Sequence, residues 1–308
     1  MYYAINNVDN NNLLQCETDT NLSLEHTVFM TAHCNNNCIM CPMSEASRRA
    51  VEVEDREEKL IAQIMTWPED TAHIDVTGGE PTLYPKRFLN VMELLKERFQ
   101  HTDFQLLTNG RSLSDRNYFR EIRRVLPNGC RLGIPFNASG SELFDKITNT
   151  QGSYLQTVSG IRRLLAADLL VEIRVVVIKL NLMDLLNIAN VVINLFPTVR
   201  KVDFIGQEVL GNAYKNRDKV WVDYKKSFQY LIPAIDLLVE NGIDVELYNY
   251  PLCTVAPGYR ALCRNSISEY KIRYDDKCEE CMLKQICGGL FASTLGNSSV
   301  TLEPVKRR

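Results

Sequence analysis

From Thr27 onward the chain alternates between short β-type runs and stretches of helical period, and this alternation limits its fold more than any other feature. Strand patterns fall at Thr27–His33, His73–Thr77, Phe104–Thr108, Arg131–Phe136, Val171–Ile178, Val202–Ile205 and Asp244–Leu247. Helical patterns occupy about 53–66, 86–99, 115–125, 154–167, 183–196 and 224–241. Strands separated by helices of this length indicate β/α units around a parallel sheet. Six such units before residue 210 suit an incomplete barrel better than a closed eight-fold one. The expected fold class is therefore α/β. A partial (β/α)6 TIM-like barrel is expected over residues 25–222, after an Asn-rich polar arm over 1–24 and before a small cysteine-rich domain over 223–308. In parallel barrels chemistry sits where strands end, at their C-terminal edges.

Composition sets outer bounds. At 308 residues the chain can bury a substantial core, and 45% hydrophobic with 24% charged residues is ordinary for a globular protein. A formal charge of −3 gives no electrostatic pull toward nucleic acid. No apolar run approaches the roughly 18 residues that span a bilayer, so no membrane partner is expected. MYYAINNVDNNN is no secretory signal, and 10 cysteines without one argue for metal ligation rather than disulfides, in the cytoplasm.

The first strand runs into Cys34-Asn-Asn-Asn-Cys38-Ile-Met-Cys41. Three thiols at CxxxCxxC spacing can hold three irons of a four-iron cubane and leave the fourth iron open to a small molecule. A structural zinc would want a fourth ligand, and a disulfide would leave one thiol over. The second strand ends at Gly78-Gly79-Glu80, where two glycines permit close backbone approach and the carboxylate offers an acceptor for an ammonium. The third ends at Asn109-Gly110, equally well an ordinary turn. The fourth ends at Asn137-Ala-Ser139, whose polar groups suit a ribose, although Ser139 suits a helix cap as well. On the fifth, Glu172 and Arg174 lie opposite the apolar Ile173 and Val175; Arg174 can fork to a carboxylate or form a salt bridge. The sixth strand ends at Glu208, which faces either substrate or solvent.

Together the three thiols, Met40 just before the third of them, and the GGE sequence on the next strand resemble the radical S-adenosylmethionine (SAM) superfamily. The resemblance implies a SAM-binding 4Fe–4S cluster on Cys34, Cys38 and Cys41, and SAM held by Met40, Gly78, Gly79, Glu80, Asn137, Ser139 and Arg174. It also implies an electron donor such as flavodoxin or ferredoxin.

Beyond Tyr250 the alternation stops and Cys253, Cys263, Cys278, Cys281 and Cys287 follow. The CxxCx5C run resembles the SPASM or twitch auxiliary-cluster domains, which implies one auxiliary 4Fe–4S cluster; a zinc ribbon is the structural alternative. Pro251-Leu-Cys253, Ser266-Ile-Ser268, Gly211-Asn-Ala213 and the CxxCx5CGG block together look like the radical SAM maturases of His-Xaa-Ser peptide systems. That likeness implies Cys253, Cys278, Cys281 and Cys287 as auxiliary ligands, with Cys263 a departure. It further implies a precursor peptide, a second radical SAM maturase and a small companion protein. The rival readings are a radical SAM enzyme acting on tRNA or a nucleotide, and a non-enzymatic zinc-stabilised binding module.

Overall fold

The computed structural model describes residues 25–52, 56–267 and 271–306; the arm expected over 1–24 lies outside them. Eight parallel strands form one curled sheet in the order β1 to β8. They are β1 (Glu25–Phe29), β2 (His73–Thr77), β3 (Asp103–Leu107), β4 (Arg131–Pro135), β5 (Leu170–Val177), β6 (Lys201–Gly206), β7 (Asp244–Tyr248) and β8 (Cys263–Arg264). Between β1 and β2 run α1 (Glu45–Arg49) and α2 (Arg56–Met65); α3 (Pro85–Arg98) and α4 (Arg116–Val125) serve the next two crossings. Two helices, α5 (Ser141–Thr148) and α6 (Ser153–Ala166), link β4 to β5, and α7 (Leu185–Leu195) links β5 to β6. After β6 come α8 (Gly211–Lys215), α9 (Arg217–Val220) and the long α10 (Tyr224–Glu240). A two-stranded antiparallel ribbon, β9 (Ile272–Arg273) with β10 (Leu290–Phe291), and α11 (Ala292–Asn297) complete the chain.

The sheet is a partial barrel, as its sequence indicates, but it does not stop after six units. β7 pairs with β6 from Lys201↔Asp244 to Ile205↔Tyr248, and β8 adds Leu247↔Cys263. The physical reason is that α10 and β7 repeat the apolar pattern of the earlier units. Val245 and Leu247 enter the same core as Val202 and Phe204, and Leu231, Ile235 and Leu238 of α10 are buried in it. β8 has two residues and no strand-like pattern of its own, so pairing rather than propensity makes it a strand.

Side chains alternate between the two faces of the sheet. One face is apolar: Ile74, Phe104, Leu132, Ile173, Phe204 and Leu247 are buried in one cluster with Phe88 of α3, Leu164 of α6 and Val192 of α7. The other, which carries no helix, is charged. There His73 Nδ1 lies 2.9 Å from Asp103, Arg131 lies 2.5 Å from Asp103, and Gln105 donates to Glu172 at 2.7 Å. Lys201 sits 2.7 Å from Glu246, 3.6 Å from Glu172 and 3.7 Å from Asp203. Hydrophobic burial thus holds the helices to one face, while a belt of ion pairs lines the other.

Candidate active site at the strand ends

The loop after β1 carries Cys34, Cys38 and Cys41, all partly buried and free of disulfides. Other segments anchor it at each turn. Asn37 and Ile39 donate to the carbonyls of Thr148 and Ile147 at the end of α5, each at 3.0 Å. Buried Arg48 donates to the Asn36 carbonyl at 3.0 Å and to Asn37 Oδ1 at 2.5 Å. On the far side Asn212 and Ala213 donate to the Cys41 carbonyl at 3.0 and 3.2 Å, and Gln207 Nε2 reaches the Met40 carbonyl at 3.2 Å. Met40 itself is buried in the core.

The thiols form one electrostatic group. Burial pushes the Cys34 thiol up to about 11, with the charges of Glu80 and Cys41 adding to the rise. Cys38 is raised by burial and then by its two companions, and Cys41 is raised by burial. Arg48 works against the rise at all three. Donors already face the sulfur of Cys34: Asn36 N at 3.3 Å and Asn109 Nδ2 at 3.9 Å. Three neighbouring, partly buried thiols can each donate to a cationic iron core, whose charge would offset the cost that burial imposes on thiolates. Among the described residues no three His, Cys, Asp or Glu side chains stand close enough together to hold a single ion. A cubane takes one thiolate at each iron and spreads its ligands further apart.

The glycine pair after β2 lies against this loop. Gly78 has φ +147°, and a Cβ on it would stand 2.5 Å from the Thr31 carbonyl oxygen. A Cβ on Gly79 would press on the His33 and Ala32 carbonyls. The close approach is to the chain's own backbone: Gly79 N donates to Thr31 O at 2.7 Å and Glu80 N to His33 O at 2.8 Å. The Glu80 side chain, fully buried, ties two strand ends together. Its Oε1 accepts from Thr82 N at 3.1 Å, Thr82 Oγ1 at 2.6 Å and Thr108 Oγ1 at 2.6 Å; its Oε2 accepts from Asn109 N at 2.7 Å. Burial raises its pKa against these four donors. Oε2, with one donor, retains acceptor capacity.

Asn137 is buried and its Oδ1 accepts from Val176 N at 2.8 Å, while Asn181 Nδ2 donates to its carbonyl at 3.0 Å. Ser139 does not cap α5, whose N-cap is Gly140 without a side-chain bond. Instead the Ser139 hydroxyl and N–H donate to Asp184 at 2.6 and 2.7 Å. Arg174 lies on the charged, helix-free face, 3.5 Å from Asp203 and over the ring of Tyr248 at 5.4 Å. Glu172 pairs with its strand neighbours rather than with Arg174. Glu208 accepts from Ser293 at 2.9 Å. The first-loop thiols, the glycine pair, Glu80 and Asn109 are thus brought together at one end of the sheet. Sequence reasoning gave no role to Arg48, Thr108, Gln207 or Asn212; Thr108 and Gln207 stand at the ends of the third and sixth strand patterns and Asn212 within Gly211-Asn-Ala213, whereas Arg48 carries no local signal.

A second set of thiols lies beyond β7. Cys253, Cys278, Cys281 and Cys287 line one small apolar cavity together with Leu252 and Tyr274. The Cys253 thiol is raised by burial and senses all three of the others. Leu252 N donates to the Cys287 sulfur at 3.4 Å, and Tyr274 OH to the Cys287 carbonyl at 2.7 Å. Cys263 senses Cys287 but does not line the cavity. This donor set fits an all-thiolate cluster.

These features define a radical SAM protein: residues 28–192, more than half of the chain, match the Radical SAM superfamily, and the chain belongs to it. A 95-residue stretch is 30% identical to a protein of Methanocaldococcus jannaschii described as a candidate glycyl-radical enzyme activating enzyme, covering 29% of this chain and 25% of that one. Over 215 residues it is 22% identical to the antilisterial bacteriocin subtilosin biosynthesis protein AlbA of Bacillus subtilis, covering 70% of this chain and 47% of that one. Streptococcus suis SuiB, solved bound to its precursor peptide SuiA, has the same fold at a TM-score of 0.58 and 14% identity, over 80% of this chain and 52% of that one. The chain thus spans a quarter to about half the length of these relatives. Among the described residues no helix is long and apolar enough to cross a membrane.

Proposed function

We propose that this protein is a radical SAM maturase of a ribosomally made precursor peptide, of the His-Xaa-Ser type. Cys34, Cys38 and Cys41 hold the SAM-binding 4Fe–4S cluster, and Cys253, Cys278, Cys281 and Cys287 hold one auxiliary 4Fe–4S cluster. Once reduced, the first cluster with SAM supplies a 5′-deoxyadenosyl radical able to take an unactivated hydrogen. The chain's own residues bind and orient. Gly78 and Gly79 set the β2 end against the cluster loop, Glu80 offers Oε2 to the SAM ammonium, and Met40 buttresses the loop. Asn137 and Ser139 serve the ribose edge, and Arg174, steadied by Asp203 and Tyr248, faces the SAM carboxylate. Residues 223–308 act as the auxiliary-cluster unit, although β7 and β8 within them belong to the barrel sheet and α10 packs into its core.

The observation that carries this reading is the four-thiol cavity appended to a radical SAM barrel. It is supported by the likeness to a bacteriocin biosynthesis protein over 70% of the chain. A second radical SAM maturase and a small companion protein complete the proposed system in the cytoplasm. The test is anaerobic reconstitution followed by incubation with SAM, a reductant and a His-Xaa-Ser repeat peptide. About eight irons per chain and a mass change in the peptide are expected. Zinc in place of iron, or an unaltered peptide beside an altered tRNA, would overturn it.

A further inference from the structure

Helix α6 stands between the Cys34 loop and an open groove on the outer surface. On its inner side buried Thr157 donates to the Asn109 carbonyl at 3.0 Å, and Asn109 in turn faces the Cys34 sulfur. Beside it Gln156 Oε1 accepts from Arg111 Nε at 2.7 Å, and Arg111 Nη1 bonds Asn36 Oδ1 at 2.8 Å and the Asn35 carbonyl. On its opposite side Leu155, Val158, Ser159, Arg162 and Arg163, with Arg116 of α4, line a groove of about 520 Å³. The groove and the Cys34 loop therefore lie on opposite sides of α6, with Asn109 and Arg111 between the helix and the loop.

The groove is cationic and apolar on a chain whose net charge is −3. Leu155 is 68% exposed, a large apolar side chain open to water. Among the described residues none of Arg116, Arg162 and Arg163 has a carboxylate at ion-pair distance, and Arg163 Nε is buried without a hydrogen-bond partner. Asp115, which feels the charge of Arg163, spends its carboxylate capping α4 through Asn117 N at 2.8 Å and Tyr118 N at 2.9 Å. Arg116 and Arg162, with no carboxylate at ion-pair distance among the described residues, and Arg163, partly offset by Asp115, surround an apolar floor and complement an acidic surface with an apolar centre. A substrate seated there could not reach the strand ends, because α6 lies between; an electron can cross that span.

We propose that this groove docks a small acidic one-electron donor protein, which reduces the cluster held by Cys34, Cys38 and Cys41. The proposal rests on the cluster assignment above. In this step one electron leaves the donor's flavin or iron–sulfur centre and enters the cluster, with no bond made or broken. The test compares the reconstituted parent with the Arg116→Glu/Arg162→Glu variant in 5′-deoxyadenosine formation, driven either by reduced flavodoxin or by dithionite. The half-saturating flavodoxin concentration is expected to rise about tenfold or more in the variant and to lose most of its salt dependence, while the dithionite-driven rate stays at the parent's. An unchanged flavodoxin response, or a variant that fails equally with dithionite, overturns the proposal. If the parent itself makes no 5′-deoxyadenosine with dithionite, the cluster assignment fails instead. The groove is then judged by flavodoxin binding in titrations, where equal affinity for parent and variant would overturn it.

Discussion

The main-chain N–H of Asn212 donates to the carbonyl of Cys41 at 3.0 Å, so the loop after β6 closes over the cysteine loop after β1. The same β6 loop is held from behind by α11: Val209 N donates to Thr294 Oγ1 at 3.2 Å and Asn297 Nδ2 to Val209 O at 3.1 Å. One short segment therefore connects the two cysteine-bearing regions. Its tightest point is Gly211, with φ +58° and no room for a Cβ against the Pro42 carbonyl. Gly211→Ala is expected to cost about 1–3 kcal/mol, from overpacking against backbone and from the left-handed conformation. Denaturant unfolding measures the cost, and unchanged stability would mean that the loops do not press together as described.

Glu80→Gln tests the carboxylate that links β2 to β3. An amide nitrogen in place of either oxygen would turn a donor toward Asn109 N or toward the Thr82 and Thr108 hydroxyls. A loss of about 1–3 kcal/mol is expected, the cost of leaving a buried polar group unsatisfied. Thermal unfolding within a degree of the parent would contradict it.

Burial holds the Asp203 carboxyl above its ordinary 3.8, at about 6, against the opposing pull of Arg174 and Lys201. A carboxyl raised on folding favours the folded state while protonated. Its contribution is complete below 3.8 and lost as pH rises through about 6. Asp203→Asn stays neutral throughout, so the parent should lose melting temperature relative to this variant between about pH 4 and pH 7. Parallel curves for the two proteins over that range would contradict the assignment.

Much of the barrel can be read from the chain because each unit carries its own local signal. The pattern at His73–Thr77 is strand β2 to the residue, and helix pattern and observed helix agree closely for α3, α4 and α6. What escaped depends on distant partners. β8 is a strand only because Leu247 lies beside Cys263. The role of Glu80 depends on Thr108 and Asn109, about thirty positions away, whose own sequence reads as an ordinary Asn-Gly turn. Arg174 was legible as a charge on the face opposite Ile173. That its partner is Asp203 follows from the β5–β6 register, which local sequence does not encode. Ser139 illustrates the reverse: a residue type common at helix starts is engaged by Asp184 from another loop.

The two candidates for the fourth auxiliary ligand separate cleanly by substitution. Cys253 lines the cavity with Cys278, Cys281 and Cys287, whereas Cys263 stands outside it. Cys263→Ser is expected to keep iron near the parent's content after anaerobic reconstitution. Cys253→Ser should lose up to half of it, since one of the two proposed four-iron clusters draws on that thiol. The opposite pattern would move the ligand to Cys263, and zinc in both variants would remove the auxiliary cluster.

The most direct test of the whole account is 5′-deoxyadenosine formation from SAM under reducing, anaerobic conditions, measured for the parent and for the Cys34→Ala/Cys38→Ala/Cys41→Ala variant. The parent should form 5′-deoxyadenosine, and the variant should form none while retaining about four irons per chain at the C-terminal thiols. SAM cleavage undiminished in the triple variant would show that the CxxxCxxC loop does not hold the reacting cluster.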